Sequence, residues 1–195
     1  MQPGETPRDE TPSEEMPSRE TPPEETRRKV QPGMRTRLAS WAMAVLLLDQ
    51  ISKAIVYRAL TLHGPPRPIL GDLLRLTYIH NAGSALGLFE GSRWFFIGVS
   101  LLSILVILAL VRSGRYSDRH LINAFGLILG GAAGNLADRL WLGRVIDFIE
   151  MGIAGHYWPV YNVADIGITA GVILLGVRIL FEKRSPVAGS DELSS

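Results

Sequence analysis

The chain has 195 residues, with 20 Lys and Arg against 19 Asp and Glu, for a formal net charge of +1. That balance lacks the concentrated basic face that nucleic-acid binding requires. Cysteine is absent altogether, which excludes disulfides, zinc–thiolate sites, iron–sulfur clusters, cysteine nucleophiles and lipidation on Cys.

Residues 1–36 differ from the rest. They hold 14 of the charged residues, 7 of the 12 prolines and four apolar residues (Met1, Met16, Val30 and Met34). A pentad repeat places Pro7, Pro12, Pro17 and Pro22 five apart, in units such as Glu5-Thr6-Pro7 and Glu10-Thr11-Pro12. Proline at that spacing blocks a continuous helix, and nothing apolar is available to bury. Residues 1–36 are therefore expected to be a disordered, Pro/Glu-rich tail. No basic patch followed by a short apolar run marks a secretory signal at the start.

Four apolar segments follow, expected as membrane spans near 38–60, 94–111, 121–137 and 163–181. The first is almost wholly apolar from Leu38 to Leu48, before Asp49 and Lys53 intrude. The second carries no charge over Trp94–Val111; those residues make a helix about 27 Å long, close to the thickness of a bilayer core. The third contains Gly126, Gly130 and Gly134 at four-residue intervals, a stripe that lets a neighbouring helix backbone approach closely. The fourth has Asp165 near its start and Arg178 near its end. Four such segments leave too little polar sequence to coat a soluble globule.

Lys and Arg placement orients the spans. Arg27, Arg28, Lys29, Arg35 and Arg37 precede the first, Arg112, Arg115 and Arg119 crowd the turn between the second and third, and Lys183 and Arg184 follow the fourth. The positive-inside rule puts these regions, both termini and a short disordered tail at 185–195 on the cytoplasmic side. Segments 61–93 and 138–162 then lie outside. In the first, Pro65-Pro66-Arg67-Pro68 ends the helix, Gly71-Asp72 signals a turn, and strand content is expected across 69–79, with Leu74, Leu76 and Tyr78 on one face.

Polar residues concentrate at the outer ends of the spans. Asp49 and Lys53, four apart on one helical face, can pair. Between spans three and four come Asn135, Asp138, Arg139, Asp147, Asn162 and Asp165. Asp147 is flanked by Val145, Ile146, Phe148 and Ile149, surroundings that disfavour its charged form. If Asp147 and Asp165 met, repulsion would leave one protonated and one ionised, giving an acid and a base from identical side chains. Spacing alone does not show that they meet and favours a cap or interface role for each, Asp165 standing in the first turn of its helix. It also leaves open a proton-coupled carrier or a non-enzymatic scaffold. No serine elbow is present, and His63, His80, His120 and His156 lack metal-ligand spacing.

Taken together, the blocks Asp49-Gln-Ile-Ser-Lys53, Asn81-Ala-Gly83-Ser-Ala-Leu-Gly87, Gly134-Asn135-Leu-Ala-Asp138-Arg139, Gly143-Arg-Val-Ile-Asp147-Phe148 and Tyr161-Asn162-Val-Ala-Asp165 closely resemble the lipoprotein signal peptidase (signal peptidase II) family. The resemblance covers about residues 38–182. It implies an all-α integral membrane protein with four transmembrane helices, a small periplasmic β-sheet and a short periplasmic helix, in the bacterial inner membrane. It also implies an aspartic endopeptidase that removes the signal peptide of diacylglyceryl-modified prolipoproteins just before the lipidated cysteine. By the same resemblance Asp147 and Asp165 are catalytic, and Asp49, Lys53, Asn81, Gly83, Asn135, Asp138, Arg139 and Asn162 support the site. No metal or cofactor is implied; the partners are prolipoprotein substrates and membrane lipids, no nucleic acid, and the protein is expected as a monomer. The chain departs from the family pattern at Leu86, Tyr161 and Gly167, none of which removes a charged or amide group.

Overall fold

A computed structural model describes residues 32–83, 92–114 and 118–182. Among these residues four helices are long and apolar enough to cross a membrane: α1 (Pro32–Ala59), α2 (Arg93–Arg112), α3 (Arg119–Trp141) and α4 (Val163–Glu182). The described residues also form four strands: β1 (Arg67–Leu70) and β2 (Leu74–Asn81) between α1 and α2, and β3 (Val145–Ile153) and β4 (His156–Tyr157) between α3 and α4. They form one antiparallel sheet in the order β1-β2-β3-β4.

α3 is the central helix and packs against the other three. Its small residues explain why. A methyl group added at Gly126 would meet Trp41 Cβ at 2.6 Å, and one at Gly130 would run into the backbone carbonyl of Ala42, so α1 lies directly on the glycine stripe. Gly131, on the neighbouring face, abuts the Ala164 carbonyl of α4. A methyl group added at Gly167 of α4 would meet Val45 Cγ1 at 2.7 Å, so a valine from α1 occupies the space that a larger residue there would need. Close backbone approach is what such stripes supply inside a bilayer, where lipid removes the hydrophobic drive for helix association.

One end of the bundle is closed by apolar side chains. Leu38 of α1, Ile107 and Val111 of α2, and Leu121, Ile122 and Phe125 of α3 form a buried cluster, with Leu175 of α4 against it. This cluster brings together the start of α1, the end of α2, the start of α3 and the last half of α4, so the helices alternate in direction. Asp118 caps α3 there, accepting from the amides of His120 and Leu121, and pairs with Arg178 at 3.3 Å. At the opposite end a second cluster, Val56, Tyr78, Ile146 and Phe148, seats the sheet on the last turns of α1.

Several boundaries differ from the sequence reading. α1 begins at Pro32, inside the stretch assigned to the tail, because proline suits the first helical position, where no amide hydrogen is needed. Residues 1–31 and 183–195 lie outside the described residues, as do Ser84–Gly87 of the second sequence block. α3 continues past Ala137 to Trp141, since its polar residues Asp138 and Arg139 face partners rather than lipid. No short helix stands apart from the four among the described residues; segment 138–162 instead contributes two strands. β3 escaped notice because Val145 to Phe148 are all buried, which erases the alternation that marks a half-exposed strand. In β2 the register shifts between Leu76 and Ile79, so Thr77 and Tyr78 are both buried, although Leu76 and Tyr78 do face the same cluster.

Candidate active site

Asp147 sits in β3, opposite Ile79 of β2, and is 2 % exposed. Asn81 lies two residues further along β2, on the same face, and its Nδ2 donates to Asp147 Oδ2 at 2.8 Å. Asn81 Oδ1 accepts from the Gly83 amide at 3.0 Å, which turns the chain sharply as it leaves the sheet. Burial first, with the neighbouring Asp165 charge adding, pushes the Asp147 carboxyl up from 3.8 to about 7, against the lowering effect of the Asn81 and Asn162 hydrogen bonds.

Asp165 stands on α4. Asn162 is the cap of that helix: its Oδ1 accepts from the Asp165 amide at 3.0 Å, while the Asp165 carboxylate accepts from the Asn162 amide at 3.1 Å. This is a reciprocal capping box with Asp in the third helical position. The capping position and the cavity position that sequence left as alternatives are thus held by one side chain, because Asp165 also lines a cavity.

Asn162, fully buried, joins the two carboxylates. Its Nδ2 donates to Asp147 Oδ1 at 2.6 Å and reaches Asn135 Oδ1 at 3.2 Å, and its backbone amide and side-chain oxygen engage Asp165. The adjoining backbone repeats the link. Tyr161 accepts from the amides of Phe148 and Ile149 and donates to the Ile149 carbonyl, at 2.8–3.0 Å. The strand carrying Asp147 and the start of the helix carrying Asp165 are therefore hydrogen-bonded to each other.

Asn135 Nδ2 donates to Asp165 Oδ1 at 2.8 Å, and Asn135 Oδ1 accepts from Lys53 Nζ at 3.2 Å. Lys53 pairs with Asp49 and with Asp138, both at 2.8 Å, in a cluster almost closed to solvent. Gly134 makes room for this arrangement, since a methyl group there would meet Asp49 Oδ2 at 2.6 Å. Arg139 Nη1 reaches the Asn135 carbonyl at 3.4 Å and its guanidinium lies over the Phe96 ring, 4.9 Å from the centroid. All ten residues singled out in the sequence lie in this one assembly. Gln50 was missed: its Nε2 contacts Asp49 Oδ2, Asp138 Oδ1 and the Gly134 carbonyl at 3.1–3.3 Å. One position after Asp49, it points about 100° away on the helix, and no spacing rule connects it to Asp138.

Asp147, Asp165, Arg139 and Asn81 open into a cavity of about 990 Å³. Its remaining walls are mostly apolar. Ile166, Thr169, Ala170 and Ile173 run down α4, Phe96 closes the α2 side, and Met151, Ile153, Trp158 and Val160 come from the sheet and the chain after it.

The family model for signal peptidase (SPase) II matches residues 41–181. The chain belongs to the signal peptidase II family. Among its relatives, the lipoprotein signal peptidase of Symbiobacterium thermophilum is 37% identical over 147 residues, covering 75% of this chain and 96% of the relative. That of Moorella thermoacetica is 42% identical over 142 residues, covering 71% and 89% respectively. A bacterial membrane enzyme solved by the in meso method at 2.3 Å resolution superposes with a TM-score of 0.74 at 26% identity, over 85% of this chain and 99% of that one. A second, solved at 1.9 Å, gives 0.69 at 28% identity, over 79% and 97%. As a signal peptidase II family member the chain is a multi-pass membrane peptidase.

Proposed function

We propose that the protein is an intramembrane aspartic endopeptidase that removes the signal peptide of diacylglyceryl-modified bacterial prolipoproteins, cleaving just before the lipidated cysteine. The observation that carries this reading is the bonding of one buried amide, Asn162, to both Asp147 and Asp165 at the wall of a largely apolar cavity.

Burial favours the protonated form of Asp147, which takes the part of the acid in this scheme, and Asp165 takes that of the base. Asp165 takes a proton from water as the water oxygen attacks the scissile carbonyl. Asp147 donates a hydrogen bond to the developing oxyanion, and the pair then delivers a proton to the leaving amine as the C–N bond breaks. The amides of Asn81, Asn135 and Asn162 hold both carboxyl groups in register, and Arg139 adds fixed positive charge beside them. The reaction so written needs neither metal nor cofactor.

The topology supports a site near the periplasmic leaflet of the inner membrane. Arg35, Arg37, Arg112 and Arg119 are exposed at the end of the bundle opposite the carboxylates, as expected for a cytoplasmic face. Asp165 lies three residues into its span, within about 5 Å of the helix start, where water and a lipid-anchored cysteine can both arrive. The apolar wall of α4 below it suits the hydrophobic stretch of a signal peptide. The protein works as a monomer in this scheme.

The test is cleavage of a lipidated prolipoprotein, read by gel shift, with Asp147→Asn and Asp165→Asn. Each variant is expected to insert and fold, because an Asn oxygen can still accept one of the existing hydrogen bonds, and to lose at least about 10³-fold in kcat. Near-normal turnover by either folded variant would overturn the assignment.

A further inference from the structure

We infer that Lys53 is the positioning hub of the carboxylate pair, a buried ammonium whose three oxygen partners each hold the chain at, or one residue before, one of the two aspartates. The inference rests on the aspartic-peptidase reading and adds to it how the separation of the pair is set.

Lys53 lies on α1, which contributes neither aspartate, and is 2 % exposed. An ammonium has three protons and no acceptor. Here it meets three oxygens: Asp49 Oδ2 at 2.8 Å, Asp138 Oδ2 at 2.8 Å and Asn135 Oδ1 at 3.2 Å. Each partner passes the constraint onward. Asp49 Oδ1 accepts from the Ala164 amide at 2.9 Å, and Ala164 is the residue before Asp165. Asp138 Oδ2 accepts from the Ile146 amide at 3.1 Å, and Ile146 is the residue before Asp147. Asn135, obliged to turn its oxygen toward a group that can only donate, presents Nδ2 to Asp165 Oδ1 at 2.8 Å.

The two arms are alike. A carboxylate bound to Lys53 grips the backbone ahead of Asp165, and another grips the backbone ahead of Asp147. Gln50 ties the same two carboxylates together from the side, at 3.1 and 3.2 Å. Moving the ammonium would move both grips. If the cluster served only to balance buried charge, any cation that fitted would serve. A hub needs the compact threefold geometry that lysine has and the planar guanidinium of arginine lacks.

The experiment uses the full-length protein in proteoliposomes with a lipidated prolipoprotein. Lys53→Arg keeps the cation; the expected result is a Tm within a few degrees of wild type, KM within about twofold, and kcat lowered about 10²-fold, as a displacement near 1 Å produces. Asp138→Asn, which keeps an oxygen for the Ile146 amide but loosens the grip on Lys53, is expected to lower kcat in the same way at near-constant KM, and it decides the matter if Lys53→Arg does not fold. Wild-type kcat in the folded variant, or a loss confined to KM, overturns the hub. An inactive Asp147→Asn beside a fully active Lys53→Arg removes the hub and leaves the aspartate assignment standing; an active Asp147→Asn removes that assignment first.

Discussion

The two ends of the bundle are buried by opposite means. Around Leu38, Ile107, Val111, Leu121, Ile122 and Phe125 the helices meet through a buried apolar cluster, with the half-buried Asp118–Arg178 pair beside it. Around Asp49, Lys53, Asn135, Asp138, Asp147 and Asn162 they meet through ion pairs and amides that are equally closed to solvent. Dispersion contacts tolerate small rotations and slides, since no single atom pair matters much. Hydrogen bonds and buried ion pairs are directional, and they cost dearly when one partner is displaced. The apolar end holds the helices together; the polar end decides where two carboxyl groups stand.

That contrast can be broken at its sharpest point with Gly131→Ala. The added methyl would strike the Ala164 carbonyl and approach Ile168 Cγ1 to 2.8 Å, pushing the start of α4 away from α3. The Asn135–Asp165 hydrogen bond would then be lost, and cleavage is expected to fall by about 10²-fold or more. Measuring kcat with the lipidated substrate checks this.

Ile122→Ala probes the other end. Ile122 is wholly buried in the apolar cluster, so its removal leaves a cavity costing about 2 kcal/mol or more. The expected outcome is a lower Tm with kcat per folded molecule unchanged. A matching fall in kcat would show that the apolar end also sets the site.

A gentler perturbation is pH. In the proposed mechanism Asp147 carries its proton, so cleavage is expected to decline as pH rises through about 7. The sign for stability is the same: with the folded value about 7 and the ordinary value 3.8, stability from protonated Asp147 is full below about 4 and is lost as pH rises to about 7. The Tm of wild type should therefore drop relative to that of Asp147→Asn across that interval, as thermal scans at several pH values will show.

Much of the polar end could be read in advance. Asp49 and Lys53 are four apart and pair as helical spacing requires, and the glycine stripe marks where α1 and α3 approach. Gln50 could not be found that way, because its partners Asp138 and Gly134 lie on another helix, more than eighty residues along the chain. β3 was hidden for the reason that makes it useful, burial on both faces around Asp147. Asp165 was ambiguous for a sound cause, since a capping residue and a cavity carboxylate look alike in sequence and here are the same group.

By itself the sequence determined the four apolar spans, the basic residues that flank them and the polar blocks from which a family resemblance followed, because hydropathy, charge and periodicity act locally along the chain. Only the tertiary structure decided that the strand bearing Asp147 is hydrogen-bonded to the start of α4, and that Asp49 and Asp138, both paired with Lys53, accept from the backbone amides just ahead of Asp165 and Asp147. Those relations depend on hydrogen-bond distances near 3 Å between segments remote in sequence, and no local preference encodes such distances.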